Sequence, residues 1–210
     1  MQTPAPVRTC DGPKGHARTD MLLPLLKAHT AEAHARLERV VPLMRDDLTL
    51  EAYRAHLLRL HAFYARVEPQ LASAVEQLGL DPAERLKLPR LREDLAALGE
   101  AVLPPGAEGI DAPLGSFAGR VGALYVLEGS TLGGQLISRH LRRVLPEAAP
   151  FRFLDPYGAQ TGPQWRAFCA AAERTVPESA HGEAAAAAKW LFESLERHLT
   201  EGHRSPAAPP

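Results

Sequence analysis

Nine histidines occur in the 210 residues, and His34 is set apart by what surrounds it. It sits in a run with helical spacing. At about 100° per residue its face carries Leu23, Lys27, Thr30, Leu37, Glu38 and Val41. That face is mostly apolar and holds one imidazole. Lys27 lies two turns toward the N-terminus, a rise of about 10 Å. An imidazole can bind iron, and a cation at that distance can meet a propionate, so the pair suits a haem. A lone histidine on an apolar face is more commonly a core residue with its hydrogen bonds satisfied. Spacing alone leaves both readings open.

A second segment needs a chemical reason. In LYVLEGSTLGGQLISRHL the apolar spacing is helical, yet Gly129, Gly133 and Gly134 interrupt it. Each glycine costs about 0.8–1 kcal/mol relative to alanine in a helix interior. Gly129 and Gly133 are four residues apart and share one face. A face without Cβ atoms admits either a neighbouring helix packed tightly or a flat ligand, and it also permits a bend. Gly115, Gly119 and Gly122, upstream on the same helix, favour tight packing there.

These residues must be positioned by helices. Alanine is abundant, and the β-branched, period-two runs of strands are missing. The fold class is all-α. The first helix is expected from about Asp20 to Leu43, capped by Thr19 or Asp20. The second starts after Thr49 and reaches about Leu78, with Gly79 as its stop. Pro69 should kink or divide it. Asp81-Pro82 opens a short helix, and another starts after Pro89 and ends at Gly99. LPPGAEGIDAPLG reads as a loop. A long helix is expected from Gly115 or Ser116 to about Leu145, and FRFLDPYGAQTGP as an irregular connector. Pro163 opens a helix to about Arg174, and Glu183 opens the last, to about Leu199. Residues 1–18 read as a loose arm, 19–201 as one helical domain and 202–210 as a loose tail.

Composition excludes several classes. Lys plus Arg total 24 against 25 for Asp plus Glu, so the basic excess of a nucleic-acid binder is missing. No apolar run reaches the ~18–20 residues of a membrane span. Cys10 and Cys169 make no disulfide framework and no CxxC zinc site. The start has no apolar signal region. A cytoplasmic protein that binds neither nucleic acid nor membrane is expected.

The two chemical segments occur in an order that resembles the haem oxygenases. LLKAHTAEAHARLE is similar to their proximal helix, with Leu26, Lys27, Thr30, His34 and Glu38 in the pattern LKxxTxxxHxxxE. LYVLEGSTLGGQLISRHL resembles their kinked distal helix, above all in the bacterial branch associated with bacteriophytochromes. Tyr53, Leu57, Leu60, Tyr64 and Glu68 match the rhythm of the second helix, and Trp190 and Phe192 that of the last. The resemblance spans roughly residues 20–200.

It implies a multi-helix bundle that holds haem between the proximal helix and the kinked distal one. It makes His34 the iron ligand and Glu38 the residue engaging the other ring nitrogen. It makes Lys27 a propionate contact, with Arg166 near a second one, and Phe192 a wall of the pocket. Gly129 and Gly133 become the distal glycines lying against haem and dioxygen. Mammalian members carry an aspartate after the first distal glycine, where this chain has Ser130, a hydroxyl that orders water without a charge.

The implied reaction opens haem to biliverdin, carbon monoxide and ferrous iron, with dioxygen and electrons from a ferredoxin or reductase. A bacteriophytochrome is the implied acceptor of biliverdin. Arg139, His140, Arg142 and Arg143 read either as favourable charge at a helix C-terminus or as a landing patch for an acidic donor. A haem carrier or sensor would share His34 and the pocket. A thiaminase-like enzyme of the same fold would need Cys169 as nucleophile. A ferritin-like di-iron bundle would need paired ExxH motifs, and only Glu178 to His181 qualifies.

Overall fold

A computed structural model describes residues 21–101, 113–148 and 151–201. Among them are eight α-helices and no strand. The arm (1–18), the tail (202–210), the cap residues Thr19 and Asp20, and most of the loop before Gly115 lie outside the described residues.

The first helix, α1, spans Leu22–Val40, three residues short of the expected end. Pro42 explains the difference. It pushes Val41 out of the helical region, to φ −85° and ψ 112°. The start of α1 is held from a distance: the Glu173 carboxylate accepts Leu22 N–H at 3.2 Å and Leu23 N–H at 2.8 Å.

Thr49 caps α2 (Leu50–Val67) by accepting from Ala52 N–H. Beyond α2, Pro69 divides the expected helix into a 3-10 turn at Glu68–Gln70 and α3 (Ala72–Gln77). The chain then reverses through Gly79 at φ +74°, a conformation glycine adopts without penalty. Asp81 caps the short α4 (Pro82–Arg85), and α5 spans Leu88–Ala97.

Ser116 caps α6, which runs unbroken from Phe117 to Val144. The connector after it is pinned rather than loose. The Asp94 carboxylate accepts from Arg152 N–H and Phe153 N–H at 3.0 and 2.9 Å. Phe151 takes a left-handed φ of 57°; its fully buried ring packs edge-on to Tyr53. Thr161–Thr175 forms α7 and His181–Glu201 forms α8, each starting two residues before the expected position.

The last helix is the axis of the bundle. Both α1 and α6 pack chiefly along it and scarcely touch one another. The alanine run Ala184–Ala188 permits the close approach. Where α6 crosses it, a Cβ on Gly122 would collide with the Ala184 carbonyl. This is the tight packing the upstream glycines suggest.

Candidate functional site

Early in its course α6 meets α8 at Ala184. Later, Ser130, Gly134 and Ile137 share a cavity wall with Leu195 and Leu199. Residues of α1 climb α8 in the same direction: His34 lies on Phe192, and Arg36 bonds Glu193 and Glu196. So α1 and α6 run side by side in one direction, leaving a groove floored by α8. Near its start Thr30 of α1 approaches Tyr125 of α6. One helical turn beyond that contact, a rise of about 6 Å on each helix, stand His34 and Gly129. They therefore stand at one level along the two helices.

His34 is not a core residue. Its side chain is 53% exposed, and its ring meets Phe192 edge-on at 5.3 Å between centroids. Exposure removes the reading of a satisfied core histidine. Glu38 stands 3.7 Å from Nε2 of His34, too far for a hydrogen bond. Nε2 is the nitrogen nearer Glu38. Metal binding through Nε2 with Glu38 on Nδ1 therefore requires the exposed ring to turn over.

The three glycines separate by function. A Cβ on Gly134 would strike the Leu154 carbonyl, so that glycine serves chain packing. A Cβ on Gly133 would meet nothing within 4 Å. A Cβ on Gly129 would touch only the Trp165 ring, at 3.6 Å, an ordinary van der Waals contact. Trp165 also tilts against Tyr125 and stacks on Phe168. Ser130 is exposed, and its hydroxyl donates to the Leu127 carbonyl at 2.8 Å. Leu132 and Leu136, on the neighbouring stripe of α6, are left 44% and 58% exposed.

Lys27 is exposed on α1. Arg166 is exposed on α7 and lines a hollow of about 570 Å³ with Leu23 and Glu173. Lys27 lies one turn beyond Leu23, so both cations flank the N-terminal end of the groove. Cys169 borders the same hollow, and burial pushes its thiol up to about 11. A thiol nucleophile needs the opposite shift, which disfavours the thiaminase-like reading. Among the described residues no three His, Cys, Asp or Glu side chains are placed to hold a metal ion. Glu178 sits in a 3-10 turn outside any paired motif.

At the end of α6, Arg139, Arg142 and Arg143 are exposed, but His140 is not. Its Nε2 hydrogen-bonds the Arg45 carbonyl at 3.2 Å. The surface patch is therefore three arginines, and His140 belongs to the packing beneath them.

One constellation was not evident from the sequence. Immediately before Gly129, Glu128 is 1% exposed and faces Arg85 and Lys87, which are 3% and 2% exposed. Glu128 accepts from Arg85 Nη1 at 2.9 Å, from Lys87 Nζ, and from the Tyr157 hydroxyl at 2.9 Å. Arg85 also bonds the Gln164 side chain, and Lys87 Nζ bonds the Arg85 carbonyl. Glu68 accepts the backbone N–H groups of Lys87 and Leu88, each at 2.7 Å. Two cations and two carboxylates balance. Burial raises the Glu68 carboxyl and lowers the Lys87 ammonium, the latter against the pull of Glu128. A sequence signal existed: Glu128 falls four residues after Leu124 and seven after Val121 on the buried face of α6, where an acid needs a partner.

No protein-family model matches the chain. Its helical arrangement is that of the NO- and CO-bound haem oxygenase crystal structures from Neisseria meningitidis. The match has a TM-score of 0.65 over 90% of this chain and 94% of that one, at 22% identity. A curated haem oxygenase of Xanthomonas campestris pv. campestris (strain 8004) is 35% identical over 153 residues, covering 70% of this chain and 88% of that protein. This chain belongs to the haem oxygenase family. Among the described residues, no helix is long and apolar enough to cross a membrane.

Proposed function

We propose that this chain opens haem oxidatively to biliverdin, carbon monoxide and ferrous iron, with haem seated in the groove between α1 and α6. The observation that carries the reading is the contrast at adjacent glycines. Gly134 is consumed by packing, while Gly133 faces open space on a groove whose other wall bears an exposed imidazole. A flat ring fits between them, with Phe192 as floor and Leu132 and Leu136 as apolar margin.

His34 would hold the iron through a ring nitrogen, and Glu38 would orient the imidazole through the other. Lys27 and Arg166 would meet the propionates at the N-terminal end. When bound, haem supplies the iron at which dioxygen is reduced. The chain supplies orientation: Gly129 and Gly133 leave room for the ring and its ligand, and the bulk around them restricts which meso edge is presented. The Ser130 hydroxyl can order water at that edge. Haemin added to the protein should give a Soret band at one equivalent. Reductant in air should then yield biliverdin. A stable haem complex that yields no pigment would favour a carrier.

Replacing His34 with Ala should abolish the histidine-ligated spectrum and turnover, while apolar contacts still retain haem. Full activity in His34→Ala would transfer the role to His29, also exposed on α1.

Arg139, Arg142 and Arg143 form a positive landing site for an acidic ferredoxin or reductase. Turnover with a ferredoxin should slow as salt rises through about 0.15 M, where screening acts within ~8 Å. Turnover with a small neutral reductant should change little. Charge reversal at Arg142 and Arg143 should reproduce the difference, and equal loss with both donors would reject the patch. The resemblance of LYVLEGSTLGGQLISRHL to the bacteriophytochrome-associated branch supports a bacteriophytochrome as the acceptor of biliverdin.

A further inference from the structure

Aromatic rings stand at the end of the groove near Thr30. Tyr125 of α6 lies there opposite α1. Trp165 of α7 tilts against it at 5.6 Å between centroids and stacks on Phe168. Trp165 also covers Gly129, where an added Cβ would touch only that indole. Gly133, one turn further along α6, faces open space. A flat ring seated beside Gly133 therefore meets Trp165 as it moves toward the start of the groove. What holds Trp165 there lies behind it. Gln164, its neighbour in the chain, receives both arms of the buried Arg85: Nη1 donates to the Gln164 carbonyl at 3.0 Å and Nη2 to the side-chain oxygen. Nη1 also donates to Glu128, the residue before Gly129, at 2.9 Å. One guanidinium thus ties residue 128 of α6 to residue 164 of α7, and the next residues of each, Gly129 and Trp165, are the pair in contact. The guanidinium itself sits over the Tyr157 ring, 5.7 Å from its centroid.

We propose that Arg85 is a positioning residue for Trp165, and that the Trp165 indole is the stop limiting how far haem slides toward the N-terminal end of the groove. The depth of the ring decides which meso edge lies beside Gly129 and Gly133. Arg85 acts only through its neighbours: it sets Gln164, and Gln164 carries Trp165. The inference rests on the haem seat between α1 and α6. Charge balance alone does not call for an arginine here. An ammonium at position 85 would neutralise Glu128 equally well. The planar fork of a guanidinium holds two partners at fixed angles at once, which a point charge on a flexible stem does not. The second partner, Gln164, is what the fork adds.

Arg85→Lys keeps the charge and gives up the fork. Trp165 and Trp190 are the two tryptophans of the chain, so a Trp190→Phe background leaves Trp165 as the single reporter in protein without haem. There Arg85→Lys should raise acrylamide quenching of Trp165. With haem bound and reductant supplied in air, it should shift the ratio of biliverdin isomers by about tenfold or more, the equilibrium equivalent of one hydrogen bond to a charged group. Gln164→Leu removes only the side-chain arm. It should move both readings the same way by less, and it carries the test if Arg85→Lys does not fold. Trp165→Ala removes the stop and should give the largest isomer shift. Tyr157→Phe is the control. It takes one hydrogen bond from Glu128 but leaves the ring beneath Arg85 and both arms in place, so it should lower the melting temperature and keep native quenching and isomer ratio. Native readings in Arg85→Lys overturn the proposal. So does a loosened Trp165 with a native isomer ratio, and so do equal shifts in Arg85→Lys and Tyr157→Phe. Failure of the native protein to give a Soret band would reject the haem seat and the stop together, and the quenching comparison separates that result from a failure of Arg85 to hold Trp165.

Discussion

Gly133→Leu should fold as well as the native chain and yield almost no biliverdin. A Cβ at this position meets nothing within 4 Å, so the substitution does not overpack the fold. Leucine is also the better helix former by about 0.8–1 kcal/mol, so the melting temperature should hold or rise slightly. Haem affinity should stay within about tenfold, a difference of ~1.4 kcal/mol or less, because most of the ring's contact area is untouched. The new side chain would occupy the space into which the ring and dioxygen must fit. A misplacement of about 1 Å can cost on the order of a hundredfold in rate.

Gly134→Leu is the matched control. Its Cβ would collide with the Leu154 carbonyl, a backbone atom that cannot swing aside, so the cost should reach or exceed the ~1–3 kcal/mol of ordinary overpacking. Melting temperature and biliverdin per bound haem, measured on both variants, separate the roles. Normal yield from Gly133→Leu would sink the distal assignment.

Glu128→Ala should be among the most destabilising single substitutions in the chain. It leaves Arg85 and Lys87 charged, buried and without their shared carboxylate. Removing one partner of a buried ion pair costs about 3–5 kcal/mol. For a chain of this size each kcal/mol moves the melting temperature by roughly 2–4 °C, so a fall of about 6–20 °C is expected by calorimetry. The cause is uncompensated charge rather than lost volume. Pairing Glu128→Leu with Lys87→Met restores the balance between Arg85 and Glu68, and the double variant should recover part of the loss. A double variant as unstable as the sum of its parts would assign the cost to packing. The His34→Ala variant should melt near the native temperature, since that half-exposed side chain carries little of the core.

Local chemistry was legible in the residues themselves. Thr49, Asp81 and Ser116 accept the hydrogen bonds expected of helix caps, because a cap is satisfied within three residues of itself. Pro69 broke its helix as a missing N–H requires. The helical periods of α1 and α6 set His34 and Gly129 on their helices, and the motif order supported the family. Pro42, one residue past Val41, marks the end of α1 in the sequence itself.

Contacts across the bundle were beyond reach of the chain's local pattern. Glu173 caps α1 from a sequence separation of 150. Arg85, Lys87, Tyr157 and Glu128 meet only when distant segments converge, and each alone reads as an ordinary polar residue. His140 reads from the sequence as part of a surface patch, but its ring lies beneath that patch, on the Arg45 carbonyl. Adjacent Gly133 and Gly134 carry identical local information, and only the position of Leu154 tells them apart. Helical period and caps are written in neighbours along the chain. What fills the space beside a given atom depends on which distant segment arrives there, and that was decided by the packing of α1, α2 and α6 around α8.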